Sequence, residues 1–166
     1  MRRFDLRSLR FGDASEVWRG LPVEVEPFRI GGQDYRVDGD AVQLQLTLSR
    51  VDHQWTAAAS LKTVVHGPCF RCLEDAVLGV EASAEEYVRS GESAGVEDGD
   101  EGYVSGYILQ ADALVRDMIA AALPATILCR EDCRGLCPQC GSDRNESECG
   151  CVAPSDPRWA NLDVLR

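Results

Sequence analysis

Eight cysteines, arranged as four closely spaced pairs, constrain this 166-residue chain more than any other feature. No apolar segment follows the basic residues at its N-terminus, so we expect no secretory signal and a cytoplasmic location. Thiols stay reduced in the cytosol, which argues against a disulfide framework and favours metal ligation. The pairs are Cys69 and Cys72, Cys129 and Cys133, Cys137 and Cys140, and Cys149 and Cys151.

Each cysteine pair can supply half of the tetrahedral thiolate site that structural zinc prefers. A glycine follows the second cysteine in Cys137-Pro138-Gln139-Cys140-Gly141, as is typical of a zinc knuckle. Two half-sites complete one site, so the sequence predicts two structural zinc ions with four sulfur ligands each. The predicted ligands are Cys69, Cys72, Cys129, Cys133, Cys137, Cys140, Cys149 and Cys151.

Other interpretations of the cysteines stay open on the sequence alone. A single zinc ion could leave spare thiols. An iron–sulfur cluster also takes four thiolates, although the usual ferredoxin spacings are absent. A redox CxxC motif usually lies at a strand-to-helix turn, whereas Cys69 and Cys72 lie between two predicted strands. His66 could replace one thiolate, but we interpret it as a strand or surface histidine.

The pairing of the half-sites has two solutions. In the first, the last four cysteines close one site locally, and Cys69 and Cys72 join Cys129 and Cys133 in another. That second site would tie the first half of the chain to the segment after the helix. In the crossed solution, the pairs beginning at Cys129 and Cys137 share an ion and leave the first pair idle.

Period-two alternation of apolar and polar residues predicts β-strands in the first half of the chain. The pattern runs over Val42 to Leu48, over Trp55 to Val65, and again over Ala76 to Ala82. Glycine-containing turns at Gly31-Gly32 and Gly39-Asp40 separate the strands. Short strands joined by short turns predict an antiparallel β-sheet or a partly closed barrel.

One amphipathic helix is predicted in the second half. The stripe of apolar residues at helical spacing comprises Leu114, Val115, Met118, Ile119, Ala122 and Leu123, and Pro124 ends it. The chain is therefore predicted to be α+β. A β-rich part (1–88) and an acidic flexible loop (89–102) precede the helix and the cysteine-rich segment (103–166), which is predicted to pack with the β-rich part as one unit.

Charge and motif content narrow the functional classes. The formal net charge of −11 disfavours a pure nucleic-acid binder and favours a basic protein partner. No run approaches the roughly 18 apolar residues of a membrane span. With two histidines and no P-loop, dinucleotide fingerprint or nucleophile elbow, a catalytic zinc site is hard to build, so we expect no enzyme.

The order of these motifs resembles the YceD family of bacteria and chloroplasts, over nearly the whole chain. The residues that carry the resemblance are Gly67-Pro68-Cys69-Phe70-Arg71-Cys72-Leu73, Leu114-Val115-Arg116-Asp117, Ala122-Leu123-Pro124, Cys129-x-x-Asp132-Cys133-x-Gly135-Leu136-Cys137-Pro138-x-Cys140-Gly141, Cys149-x-Cys151 and Asp156-Pro157-Arg158-Trp159. The sequence departs from the family pattern at Gln110, where an acidic residue usually opens the helix, so the usual acidic cap is missing at this position.

The resemblance implies a role in biogenesis of the large ribosomal subunit, specifically in accumulation of 23S ribosomal RNA. The implied partner is a large-subunit precursor or a small basic ribosomal protein, with direct RNA contact left open. Some relatives lack the last four cysteines and carry histidines at the positions of Cys129 and Cys133, which favours the first pairing. A zinc-dependent enzyme acting on ribosomal RNA and a redox-sensing zinc switch are the alternative functions.

Overall fold

The computed structural model describes residues 3–8, 16–51, 54–88, 103–105 and 107–152. The predicted acidic loop, 89–102, and the tail beyond residue 152 lie outside the described residues. Within them no helix is long and apolar enough to cross a membrane.

The described residues form an α+β fold with two antiparallel sheets and one α-helix, as predicted. In chain order the elements are β1 (Arg3–Asp5), a 3-10 turn (Leu6–Ser8), β2 (Glu16–Val23), β3 (Phe28–Ile30), β4 (Gln33–Val37), β5 (Val42–Val51), β6 (Gln54–Pro68), β7 (Asp75–Val88), β8 (Val104–Ser105), β9 (Ile108–Gln110) and α1 (Ala111–Ala122).

A long hairpin of β6 and β7 is the spine of the larger sheet, paired from Trp55↔Val88 to Pro68↔Asp75. The opposite edge of β6 pairs first with β5 and then, near His66, with β4. Strand β2 extends the sheet beyond β5, and β3 extends it beyond β4. Strands β1, β9 and β8 form a separate small sheet. The described strands form an open sheet and do not close into a barrel. Of the two predicted arrangements, the antiparallel sheet is therefore the one observed.

The period-two pattern places one face of the sheet in the core. Val42, Leu44, Leu46 and Leu48 of β5 are all buried, and alternate residues of β6 from Ala57 to Leu61 are buried beside them. Because successive side chains of a strand point to opposite faces, the polar residues between them face outwards. The predicted strands in this part of the chain are therefore confirmed.

Helix α1 buries most of the predicted stripe. Its residues Leu114, Val115, Met118 and Ile119 are buried in the same core. Of the other two predicted stripe residues, Ala122 is exposed, whereas Leu123 is partly buried against the core just after the helix ends. Leu123 is extended (φ −74°, ψ 137°), which is the conformation that a following proline imposes.

The start of α1 is held by backbone and tertiary contacts. Gln110 occupies the N-cap position without a side-chain cap, and its backbone N–H donates instead to the carbonyl of Tyr103 (2.8 Å). The Tyr103 hydroxyl donates to Asp117 Oδ2 of the helix (2.7 Å). This hydrogen bond, followed by burial, raises the pKa of Tyr103 to about 12. The small sheet is thereby joined to the helix.

Candidate metal centres

Four cysteines from two distant segments meet at the tip of the β6–β7 hairpin. We call Cys69, Cys72, Cys129 and Cys133 the buried group. Their sulfurs all lie within 4.8 Å of one another, with Sγ–Sγ distances of 3.7 Å for Cys69–Cys133 and 3.6 Å for Cys72–Cys129. Cys69, Cys72 and Cys133 are 0%, 4% and 2% exposed, so bulk water reaches little of this group.

The remaining four cysteines form a second cluster closer to solvent. We call Cys137, Cys140, Cys149 and Cys151 the outer group, and their sulfurs also lie within 4.8 Å of one another. Cys137 is buried, whereas Cys140 and Cys151 are exposed. The two groups therefore share a composition but differ in their access to solvent.

The turn between β6 and β7 builds the first CxxC knuckle. The Cys69 N–H donates to the Glu74 carbonyl (2.7 Å), and the Leu73 N–H donates to the Cys69 carbonyl (3.0 Å). The Arg71 N–H points at Cys69 Sγ (3.4 Å). Leu73 takes a left-handed backbone conformation (φ 65°), which an L-residue with a side chain rarely adopts.

The outer group repeats this backbone geometry. The Cys137 N–H donates to the Ser142 carbonyl (2.8 Å), and the Gly141 N–H donates to the Cys137 carbonyl (2.9 Å). Gly141 has the φ of 74° that corresponds to Leu73 in the first knuckle. The second knuckle was predicted from Gly141, the glycine that follows its second cysteine. The first knuckle has the same backbone geometry, but its matching residue is Leu73, so the sequence did not indicate the similarity.

The packing of the hairpin tip explains the glycine before the first pair. A Cβ atom on Gly67 would lie 2.2 Å from Cδ1 of Tyr35, and the Tyr35 ring is 2% exposed. The Tyr35 hydroxyl donates to the Pro68 carbonyl (2.9 Å). Strand β4 thus supports the tip through a ring that lies directly on the backbone of β6.

Backbone contacts bring the segment after α1 to the hairpin tip. The Phe70 N–H donates to the carbonyl of Ile127, a buried residue just before Cys129. The Arg71 guanidinium donates from one Nη to the Cys133 carbonyl (2.8 Å). These two contacts position the second half of the buried group.

Arg71 also anchors the outer group. Its carbonyl accepts a hydrogen bond from the Leu136 N–H (2.9 Å), immediately before Cys137. Gly135 has φ 69°, and a Cβ there would lie 2.8 Å from the Arg71 carbonyl oxygen. Arg71 belongs to the first cysteine motif, but its role at the junction of the two groups could not be predicted from the sequence, because both contacts depend on tertiary structure.

The Asn145 side chain reaches a sulfur of the buried group. Asn145 Nδ2 lies 3.5 Å from Cys133 Sγ and 2.7 Å from Asp143 Oδ1. Asn145 belongs to the loop between Cys140 and Cys149 of the outer group. This residue was not predicted from the sequence, since a single asparagine in a polar loop carries no ligand spacing.

The sulfur distances fit one tetrahedral ion in each group. A zinc–sulfur bond of about 2.3 Å gives a sulfur–sulfur edge of about 3.8 Å in a tetrahedron. The two closest contacts in the buried group, 3.7 and 3.6 Å, match that edge. They are far longer than a disulfide bond of about 2.05 Å. A multi-iron cluster would hold the sulfurs further apart, so each group could hold a single ion.

The thiol pKa values in the buried group diverge. Burial opposes ionisation of Cys69, but N–H donors from Cys72, Cys129 and Arg71 lower its pKa to about 6. Burial, reinforced by hydrogen bonds to the neighbouring sulfurs, raises the pKa of Cys72 to about 12. Four adjacent thiols cannot all ionise without a cation, and binding of a dication would release the remaining protons.

The outer group shows the same divergence with different causes. Hydrogen bonds from the Ser142 hydroxyl and backbone lower the pKa of Cys140 to about 6. The backbone N–H of Cys151 lowers the pKa of Cys149. The hydrogen bond between Cys140 and Cys151 raises the pKa of Cys151 to about 12. Each group therefore presents thiolate character before any metal binds.

The observed grouping is the one that the first pairing scheme requires. The crossed scheme would bring Cys129 and Cys133 to Cys137, whereas they lie with the first pair. His66 stands outside both groups, with its Nε2 atom 3.7 Å from Asp38 Oδ1. His53 lies outside the described residues.

A family model described as "Large ribosomal RNA subunit accumulation protein YceD" matches residues 57–166. The chain belongs to the YceD family. The match begins in β6 and includes all eight cysteines, so both groups lie within the part of the chain that defines YceD membership.

Curated relatives extend this YceD match towards the N-terminus. An uncharacterized protein of Mycobacterium tuberculosis (strain ATCC 25618 / H37Rv) is 29% identical over 140 residues, which is 82% of this chain and 68% of the relative. One from Mycobacterium bovis (strain ATCC BAA-935 / AF2122/97) matches to the same extent. One from Mycobacterium leprae (strain TN) is 26% identical over 131 residues, 76% of this chain and 60% of the relative. No solved structure matches the chain.

Proposed function

We propose that this chain is a non-enzymatic, zinc-stabilised factor for accumulation of the large-subunit ribosomal RNA, 23S RNA. The observation that carries the proposal is the YceD family match over the region that contains both cysteine groups. The chain acts through contact with a large-subunit precursor or with a small basic ribosomal protein.

Zinc is the ion that suits both groups. Thiolates are soft ligands, and four of them in a tetrahedron favour zinc over magnesium, calcium or manganese. In the buried group the ion links the β6–β7 hairpin to the segment after α1. Because a structural zinc site does not exist in the unfolded chain, its binding energy stabilises the fold directly.

The donor sets argue for structural ions. A catalytic zinc ion keeps one position open for water or substrate, whereas four thiolates occupy all four positions. An enzyme acting on ribosomal RNA would need an exchangeable ligand in one group. Only Cys140 and Cys151 are exposed, and both are thiols of the outer group.

Charge supports a basic protein partner. The net charge of −11 makes long-range attraction to phosphate unfavourable and attraction to a basic protein favourable. The hairpin tip adds an apolar contact surface, since Phe70 and Leu73 are each 53% exposed beside the buried group. The zinc site would hold these two side chains in a fixed position for a partner.

Affinity capture with the tagged chain tests this function. The wild-type chain should recover large-subunit precursors or a small basic ribosomal protein, and a deletion strain should show reduced 23S RNA relative to 16S RNA. Phe70→Ser with Leu73→Ser should weaken the capture. Val152→Ser, at an 84% exposed site directly after Cys151 of the outer group, is the matched control. Recovery of neither partner, together with normal 23S RNA in the deletion strain, would refute the proposal.

A redox-sensing zinc switch is the second candidate, and the unequal exposure of the two groups favours it. Thiolates exposed to solvent are the ones that oxidants reach first. Mild peroxide should then release zinc from the outer group while the buried group keeps its ion. Retention of both ions under peroxide would leave only the structural role.

A further inference from the structure

We propose that Asn145 couples the two metal groups, so that an ion in the outer group strengthens metal retention in the buried group. This inference rests on the two-zinc assignment above. It concerns the Asn145 side chain, which ligates no metal. Asn145 lies in the loop of the outer group, and its amide touches Cys133 of the buried group.

The orientation of the Asn145 amide is fixed by its neighbours. Its Oδ1 accepts the Arg134 N–H (2.7 Å), and its Nδ2 faces two acceptors, Asp143 Oδ1 (2.7 Å) and Cys133 Sγ (3.5 Å). A flipped amide would place oxygen against a carboxylate and a thiolate. The N–H group therefore donates to the sulfur.

The position of Asn145 depends on the loop that the outer group closes. The loop runs from Cys140 to Cys149, and its turn is organised by Asp143. Asp143 Oδ1 accepts the Asn145 backbone N–H (2.8 Å), and the Asp143 carbonyl accepts the Ser147 N–H (3.1 Å). An ion bound by cysteines at both ends restricts this loop and holds the turn in place.

The chemistry of the contact sets the sign of the coupling. Four thiolates around a divalent cation carry an excess of negative charge, and an N–H donor to one sulfur reduces it. Hydrogen-bond partners of metal ligands typically change metal affinity by about 10- to 100-fold. Coupling between two sites is reciprocal, so an ion in the buried group also favours loading of the outer group.

Affinity of the buried group for zinc is the quantity to measure, by chelator competition on the full chain. Cadmium-113 NMR, with one resonance for each group, assigns the metal that is lost. Asn145→Ala should weaken zinc binding at the buried group by about 10- to 100-fold. Gln139→Ala is the matched control, because that amide lies in the outer knuckle and donates to the Val152 carbonyl (2.6 Å). It should leave the buried group unchanged.

A double-mutant cycle separates coupling from local damage. Cys140→Ser with Cys149→Ser removes the outer ion and should weaken the buried group by the same factor as Asn145→Ala. Adding Asn145→Ala to that variant should then change nothing further. Unchanged zinc affinity of the buried group without the outer ion, or a full additional loss from Asn145→Ala, would overturn the coupling while leaving the two-zinc assignment intact. A wild-type chain that binds no metal would overturn both.

Discussion

Replacing Gly67 by alanine tests how the hairpin tip is supported. The added Cβ would lie 2.2 Å from Tyr35 Cδ1 and 2.7 Å from Cε1, whereas carbon atoms in contact are about 3.5–4.0 Å apart. The ring cannot move away easily, because Tyr35 is only 2% exposed and its hydroxyl donates a hydrogen bond to the Pro68 carbonyl. Either the ring or the backbone of β6 must therefore shift.

The expected cost follows from two contributions. Overpacking in a filled core costs about 1–3 kcal/mol, and the size of this overlap places it near the upper limit. Loss of the hydrogen bond from Tyr35 adds about 1 kcal/mol. Gly67→Ala should thus lower the free energy of unfolding by about 3–4 kcal/mol, a large share of the roughly 5–15 kcal/mol typical of a domain.

Urea unfolding at saturating zinc, followed by circular dichroism, measures this loss. The matched control is Gly79→Ala on β7 of the same hairpin, where an added Cβ meets nothing within 4 Å. It should change stability by no more than about 1 kcal/mol. In a Tyr35→Leu background, Gly67→Ala should lose most of its effect. An unchanged cost in that background, or no cost in the wild-type background, would refute the proposed contact.

Three further predictions concern the metal groups and the helix. Cys69→Ser and Cys140→Ser should each lose one zinc ion by mass spectrometry of the native protein, whereas loss of both ions from either variant would contradict separate sites. Leu73→Gly should keep both ions and raise stability by up to about 1 kcal/mol in urea unfolding, because it relieves a left-handed conformation that costs about 1–2 kcal/mol. Asp117→Asn should lower the raised pKa of Tyr103 in a phenolate absorbance titration. Since the folded-state pKa lies above the unfolded value, this hydrogen bond stabilises the fold below about pH 10 and loses its effect as pH rises through about 12.

The sheet and the helix could be predicted where the sequence pattern is long. The alternation from Val42 to Leu48 and the stripe from Leu114 to Ile119 extend over enough residues to determine which face is buried. The end of the helix was less certain, because Pro124 forces Leu123 into an extended conformation before the apolar stripe stops. The small sheet was not predicted, since β8 has two residues and β1 and β9 have three each, too few to show a period.

The spacing of the cysteines allowed two pairing schemes, and the two groups in the structure correspond to the first of them. What spacing could not give is the set of contacts that hold the groups in place. Tyr35 against Gly67 and Arg71 against Gly135 join residues far apart in sequence. The Asn145 contact with Cys133 depends on the exact path of a loop. Such contacts arise from tertiary packing, and no local pattern encodes them.

We propose that each group of four cysteines holds one zinc ion. X-ray absorption at the zinc edge, combined with elemental analysis of the purified wild-type chain, tests it most directly. The expected result is two zinc ions per chain and a first shell of four sulfur atoms at about 2.3 Å, with no nitrogen or oxygen neighbour. A single ion per chain, or a first shell that contains nitrogen or oxygen, would contradict it.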